Sequence, residues 1–221
     1  MISVAIDGPA GVGKSTAAKA VAKKLGYIYV DTGALYRAIG LFASERNIGT
    51  TDAAGISAKL HEIRIKLDYL DGVQRVFLNG RDVSDDIRKP EMGMAASNVS
   101  AIPKVRDFLL DLQRDMAAGQ NVVMDGRDIG TVVLPGAKVK IYLTASAEAR
   151  AKRRFEEHVA KGEQVSYNDI LTEIKQRDYN DMNRSIAPLK QAGDAVLIDN
   201  TGWTCKETAD QIMKIIEEKT V

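Results

Sequence analysis

The stretch Ile2-Ser-Val-Ala-Ile-Asp7-Gly8-Pro-Ala-Gly-Val-Gly13-Lys14-Ser15-Thr16 decides the fold. Ile2 to Ile6 is a short apolar run that reads as a buried strand. From Lys14 to Leu25 a helical pattern follows, with Ala17, Ala20, Val21 and Leu25 on one side. Between them Gly8-Pro-Ala-Gly-Val-Gly13-Lys14-Ser15 matches G-x-x-x-x-G-K-[ST] without a gap. Each constraint has a physical reason. Glycines let backbone amides curl around phosphate oxygens, and the helix starting near Lys14 aims its positive end at them. Lys14 reaches the β- and γ-phosphates, and the Ser15 hydroxyl is placed for Mg²⁺. Lying between a strand and a helix, as its mechanics require, the motif predicts that Gly8, Pro9, Ala10, Gly11, Val12, Gly13, Lys14, Ser15 and Thr16 bind a nucleoside triphosphate.

Outward from this unit the chain keeps an α/β rhythm. Tyr27 to Val30 reads as a second strand and Ala34 to Glu45 as a second helix. Val122-Val-Met124, Val139 to Leu143 and Ala195 to Ile198 are further apolar runs, and a last helix spans about Lys206 to Glu218. Five short runs alternating with helices predict a five-stranded parallel sheet with helices on both faces. One region breaks the rhythm. Ile63 to Tyr69 alternates with period two, Asp71-Gly72 follows, then Arg75 to Leu78, Asn79-Gly80 and Asp82 to Ser84. Asp-Gly and Asn-Gly flanked by such runs are strong hairpin signals. They predict a three-stranded antiparallel unit inserted into the parallel fold. Pro103 opens a helix with Val105, Leu109, Leu112 and Met116 as its stripe, and about Ala147 to Ile186 reads as helical and heavily charged.

Composition narrows the function. With 221 residues the chain suits one domain, or one with an insertion, and 45% hydrophobic and 28% charged residues are ordinary for a globular protein. Lys+Arg 31 against Asp+Glu 30 leaves +1, so no global field favours nucleic acid or an acidic membrane. Cys205 stands alone, which rules out an intramolecular disulfide and a cysteine zinc site. Only His61 and His158 are histidines, and neither suggests a role. No apolar run is long enough to span a bilayer, and the N-terminus lacks the pattern of a signal peptide, so a cytoplasmic location is expected. A GTPase would carry Asn-Lys-x-Asp after a later strand. The nearest string, Asn79-Gly-Arg-Asp82, has no lysine and sits on a hairpin turn. Asp125 ends a predicted strand, where it serves either as an acidic group near Mg²⁺ or as part of an ordinary turn.

Four motifs, in order and spacing, resemble the bacterial cytidylate kinase family over essentially the whole chain. They are Asp7 to Ser15, Asp31-Thr-Gly-Ala-Leu-Tyr-Arg37, Asp125-Gly-Arg-Asp-Ile-Gly-Thr131 and Arg184-Ser-Ile-Ala-Pro-Leu189. The first is shared by many NTPases; the other three together are specific. The resemblance implies a P-loop kinase domain over residues 1–221, with a nucleotide-monophosphate-binding insert at 55–100 and a short helical lid at 150–168. It implies that Arg37, Arg127 and Arg184 clamp the phosphate of CMP or dCMP, and that Ser97, Arg106 and Asp128 read the cytosine. Arg177 and Asp181 would contact the sugar and the transferring phosphoryl group. Lys14, Arg154, Arg177 and Arg184 would be the catalytic cations, with Ser15 and Asp125 at Mg²⁺. Thr32 falls where the family often has serine and keeps a hydroxyl beside the substrate.

Read without the family, Arg177, Asp181 and Arg184 are spaced i, i+4, i+7 on one helical face, which also fits a solvated ladder of ion pairs. Arg127 is more telling, since parallel α/β sheets bind ligands at strand carboxyl ends. The expected reaction is phosphoryl transfer from ATP to CMP or dCMP by a monomer. Other small-molecule kinases of this fold, for UMP, AMP or shikimate, are the alternative, and a regulatory P-loop binding protein is a further one.

Overall fold

The computed structural model describes residues 1–70 and 73–220. In chain order the first half runs β1 (Ser3–Asp7), α1 (Lys14–Leu25), β2 (Ile28–Asp31), α2 (Thr32–Glu45), α3 (Ala53–Lys59), β3 (Ile65–Leu70), β4 (Val73–Leu78), β5 (Arg81–Asp82) and α4 (Met92–Ser100). It continues with α5 (Pro103–Ala117), β6 (Val122–Gly126), β7 (Val139–Thr144), α6 (Ala147–Ala160), α7 (Tyr167–Asn183), β8 (Val196–Asp199) and α8 (Cys205–Thr220). The backbone divides into two compact units. One comprises residues 1–29 and the chain from Gly119 onward, the other residues 30–118.

The first unit carries the phosphate loop. Its sheet has the strand order β2-β6-β1-β7-β8, and β1 pairs in parallel with both β6 and β7. The five apolar runs of the sequence thus form the predicted parallel sheet. The register sets Asp7 level with Gly126 on one side and Tyr142 on the other. Chain direction therefore brings the carboxyl ends of β1 and β6 side by side, where such sheets hold their ligands. Val4 and Ile6 point into one core with Ala17 and Val21 of α1 and Ile212 and Ile216 of α8. Burial of these stripes fixes both helices on the sheet. The charged stretch after β7 forms two helices. Gly162, at φ 77°, follows the end of α6, and Ser166 caps α7 by accepting from the Asp169 amide. Ala151, Ile170 and Ile174 are buried between them, and Phe155 meets Tyr167 edge to face at 6.3 Å.

The second unit contains the antiparallel sheet β3-β4-β5, with Leu67 opposite Val76 and Phe77 opposite Asp82. Asn79 and Gly80 both take positive φ, as a two-residue hairpin turn requires. The expected Asp71-Gly72 turn lies outside the described residues. Gln74, Val76 and Leu78 face inward from β4, and the two apolar ones join Leu35 and Ile39 of α2, Val99 of α4 and Leu109 of α5 in one core. Helix α4 buries a short stripe of Met92, Ala95, Ala96 and Val99 in the same core. It is held by close approach to α2, where a Cβ on Gly40 would stand 2.8 Å from the Ala95 Cβ.

Candidate active site

The phosphate loop is built by close packing rather than by side-chain caps. Gly8 has φ 153°, and a Cβ there would stand 2.0 Å from the Leu143 carbonyl oxygen, so only glycine fits. Gly13, at φ 90°, occupies the N-cap of α1 and no side chain caps that end. The first amides of α1 are thereby left to an anion, which the helix dipole also favours. Lys14 is buried and donates from Nζ to the Pro9 carbonyl at 2.7 Å. Burial, then the nearby Arg127 guanidinium, holds its ammonium well below the ordinary lysine value.

Two aspartates end the central strands. Asp125, at the end of β6, accepts from Ser15 Oγ at 2.7 Å and from the Tyr29 hydroxyl at 3.0 Å. Asp7, at the end of β1, accepts from the backbone amides of Ile129 at 2.8 Å and Gly130 at 2.7 Å. Burial pushes its pKa up to about 6 despite these donors. Asp7 thus fixes the turn of π-helix, Ile129–Val133, that follows Arg127 and Asp128.

Beyond that turn, cations and carboxylates interlock. Arg127 Nε donates to Asp181 Oδ2 at 2.8 Å. Burial alone would raise the Asp181 value, but Arg127 prevails and holds it below the usual carboxylate range. Arg184 Nη2 pairs with Asp128 at 3.4 Å, and its Nε and Nη2 both donate to the Ala187 carbonyl. Arg154 pairs with Glu173 across the α6–α7 hairpin at 3.0 Å. Arg177 differs from these. Its Nε is buried without a hydrogen-bond partner, and burial, then Arg127, lowers its pKa to about 10. A buried cation beside other cations is stabilised by an incoming anion.

The helical-face reading of the ladder needs correction. Arg184 is the C-cap of α7, with φ −65° and ψ 143°, so it has left the helix that carries Arg177 and Asp181. It is also buried, as is Asp181, which excludes a solvated ladder.

In the second unit, Asp31 caps α2 by accepting from Ala34 and pairs with Arg37 Nη2 at 2.7 Å. Arg37 Nε is buried without a partner. Thr32, the first residue of α2, is buried beside this pair in sequence, and the Asp31 amide donates to Gln74 Oε1 of β4 at 3.0 Å. Ser97 on α4 and Arg106 on α5 are both buried. Arg106 Nη1 donates to the Ser100 carbonyl at 3.3 Å, Ser100 Oγ donates to the Ser97 carbonyl, and Arg106 lies 5.5 Å from the Tyr36 ring centre. The expected residues therefore fall into two groups. Lys14, Ser15, Asp125, Arg127, Asp128, Arg154, Arg177, Asp181 and Arg184 belong to the first unit, and Thr32, Arg37, Ser97 and Arg106 to the second.

Sequence reading missed Asp7 and Tyr29 as partners of the site, although Asp7 stands directly before the phosphate loop. It also missed Arg150 and Gln74, whose burial no local pattern announces. Among the described residues no group of three or more histidines, cysteines or carboxylates is arranged to hold a metal. One hydroxyl and one carboxylate, Ser15 and Asp125, fit Mg²⁺, which takes most of its ligands from phosphate and water.

A parallel sheet with an uncapped phosphate loop, a carboxylate on the neighbouring strand and buried or half-buried arginines around it defines a P-loop phosphotransferase. Residues 4–218 match the Cytidylate kinase family, and the chain belongs to that family. It is 51% identical over 214 residues to the cytidylate kinase of Caldicellulosiruptor saccharolyticus, covering 97% of this chain and 95% of that one. It is 49% identical over 216 residues to the cytidylate kinase of Carboxydothermus hydrogenoformans, covering 98% and 97%. The solved structure of a gluconokinase from Sinorhizobium meliloti shares the fold, with TM-score 0.50 and 15% identity over 98% of this chain and 92% of that one. Among the described residues no helix is long and apolar enough to cross a membrane.

Proposed function

We propose that the chain transfers the γ-phosphoryl group of ATP to CMP or dCMP, giving ADP and CDP or dCDP. Cytidylate kinase activity, with ATP as donor, follows from the family. The observation in the site that carries it is the buried, unpartnered Arg177 Nε in a cluster of cations that includes Lys14 and Arg127. Such a cluster suits a reaction whose charge spreads over phosphoryl oxygens.

The attacking group is a phosphate oxygen of the acceptor. The second pKa of a phosphate monoester lies near 6, so at neutral pH most of it is already deprotonated. No general base is then needed, and neither His61 nor His158 is given a role. Residues 8–16 hold the donor phosphates, and Lys14 stays on the β- and γ-oxygens while the bond breaks. Mg²⁺, held with Ser15 and Asp125, would neutralise charge on the same oxygens. Arg37, Arg127 and Arg184 orient the acceptor phosphate, because a guanidinium donates in pairs to phosphate oxygens. Arg154 and Arg177 supply charge to the transferring group, and Asp181 sets the sugar. Ser97, Arg106 and Asp128 read the base, with Thr32 beside the substrate. Residues 55–100 serve acceptor binding, and residues 150–168 form a lid that excludes water.

The protein acts as a monomer in the cytoplasm on small molecules, without nucleic acid or membrane. The near-zero net charge supports the absence of nucleic-acid and acidic-membrane binding. The decisive experiment is ADP release from ATP with CMP, dCMP, UMP or AMP as acceptor. CMP and dCMP should be strongly preferred. Turnover without any acceptor, or preference for AMP, would refute the proposal.

A further inference from the structure

Arg150 lies in the first turn of α6, and its side chain is only 5% exposed. Its guanidinium spans three separate parts of the first unit. Nε donates to the Ala145 carbonyl just after β7 at 3.0 Å, and Nη1 donates to the Ala10 carbonyl in the phosphate loop at 2.8 Å. Nη2 pairs with Asp178 Oδ2 on α7 at 2.6 Å. Gly11, at the crest of the loop, lies close enough that a Cβ would stand 3.7 Å from the Arg150 Cβ.

Asp178 directly follows Arg177, the arginine whose Nε has no partner. One planar fork therefore joins the backbone of the phosphate loop to the helix that presents Arg177. The apolar contact of α6 with α7 cannot do this, because Ala151, Ile170 and Ile174 tie the two helices only to each other. A lysine could keep the charge toward Asp178 but has no geometry to reach all three acceptors at once.

We infer that Arg150 is a positioning residue for phosphoryl transfer, fixing the distance between the phosphate loop and Arg177. The inference rests on the kinase reading and on Arg177 acting on the transferring group. Small misplacement of such a cation is costly, since catalysis here is positioning plus electrostatics. Arg150 touches no substrate atom in this role; it works through Arg177.

The test is a double-mutant cycle with Arg150→Lys and Arg177→Ala, reading kcat and the KM values for ATP and CMP separately. Arg150→Lys should lower kcat by about 10- to 100-fold while the KM for ATP changes little, because the loop amides still bind the donor. In the Arg177→Ala background the same change should have almost no further effect on kcat. Asp178→Asn, which keeps size and removes only the ion pair, should reproduce part of the kcat loss in a folded protein, with some fall in unfolding temperature because the buried Arg150 loses its carboxylate partner. Multiplicative losses in the cycle, or unaltered kcat in folded Arg150→Lys and Asp178→Asn, would overturn the inference. If Arg177→Ala alone leaves kcat intact, the role assigned to Arg177 fails, and with it the premise. Wild-type protein without CMP-dependent ADP release would instead sink the kinase reading.

Discussion

The Asp128 carboxylate pairs with the Arg184 guanidinium at 3.4 Å, and both side chains are at most 5% exposed. Arg127, next to Asp128 in sequence, instead directs its Nε to Asp181. Asp128 thus joins a group proposed to read cytosine to one proposed to hold phosphate, and two roles compete for it. As a reader it accepts from the cytosine amino group, whereas the uracil carbonyl would oppose acceptor to acceptor. As an anchor it only steadies Arg184. Asp128→Asn separates the two. Reading the base predicts that the CMP-over-UMP ratio of kcat/KM narrows by about 5- to 150-fold, from about 1–3 kcal/mol of mismatch. Equal losses on both acceptors would leave Asp128 an anchor.

Arg177 and Arg184 should part company when truncated. Arg184→Ala strips the Ala187 carbonyl of two donors and Asp128 of an ion pair. It should cost about 1–3 kcal/mol of stability as well as activity. Arg177→Ala removes a cation that burial and Arg127 already disfavour, so it should lower kcat without lowering the unfolding temperature. Calorimetry and kinetics on the same preparations check both, and an Arg177→Ala protein less stable than Arg184→Ala would refute the contrast.

What was legible in the sequence follows from how local each signal is. The phosphate loop is contiguous, each position answers to one phosphate, and its strand and helix flank it directly. Period-two alternation and Asn79-Gly80 likewise announced the antiparallel insert. Helix α4, which carries Ser97, was not legible. Its stripe of Met92, Ala95, Ala96 and Val99 is short and mostly small, and it packs where Gly40 of α2, far away in sequence, lets Ala95 approach. The same holds for Asp7, whose amide partners lie 122 and 123 residues on. Arg184 misled because spacing describes a helix only as long as the helix lasts, and α7 stops at Asn183.

Lys14→Met tests the donor side. The substitution keeps the aliphatic stem and removes an ammonium that burial disfavours, so the fold should survive with an unfolding temperature equal to or above that of the wild type. Loss of one contact to the transferring charge should cost about 10²- to 10³-fold in kcat. Near-wild-type turnover in the folded variant would remove Lys14 from the chemistry.

Asp7 makes a prediction about pH. Burial pushes it from the ordinary 3.8 up to about 6, against the pull of the Ile129 and Gly130 amides and of Lys14. The folded protein therefore holds this proton more tightly than the unfolded chain does, and it is the ionised form that folding disfavours. That cost is fully present above about pH 6 and is relieved as the pH falls from 6 toward 4; below 4 both states are protonated. Asp7→Asn cannot ionise, and every other titrating group is common to the two proteins. The difference in unfolding free energy, wild type minus variant, should accordingly rise on acidification between pH 6 and 4, with a slope of no more than about 1.4 kcal/mol per pH unit for one proton. Above pH 6 the difference should be flat. Its sign there depends on whether the second amide acceptor, lost in Asn, outweighs the buried charge that is removed. Urea unfolding of both proteins at half-unit steps of pH measures it. A difference that stays constant through this window would mean an ordinary pKa for Asp7, and one that falls with acid would mean that the two amides outweigh burial and hold it below the ordinary value.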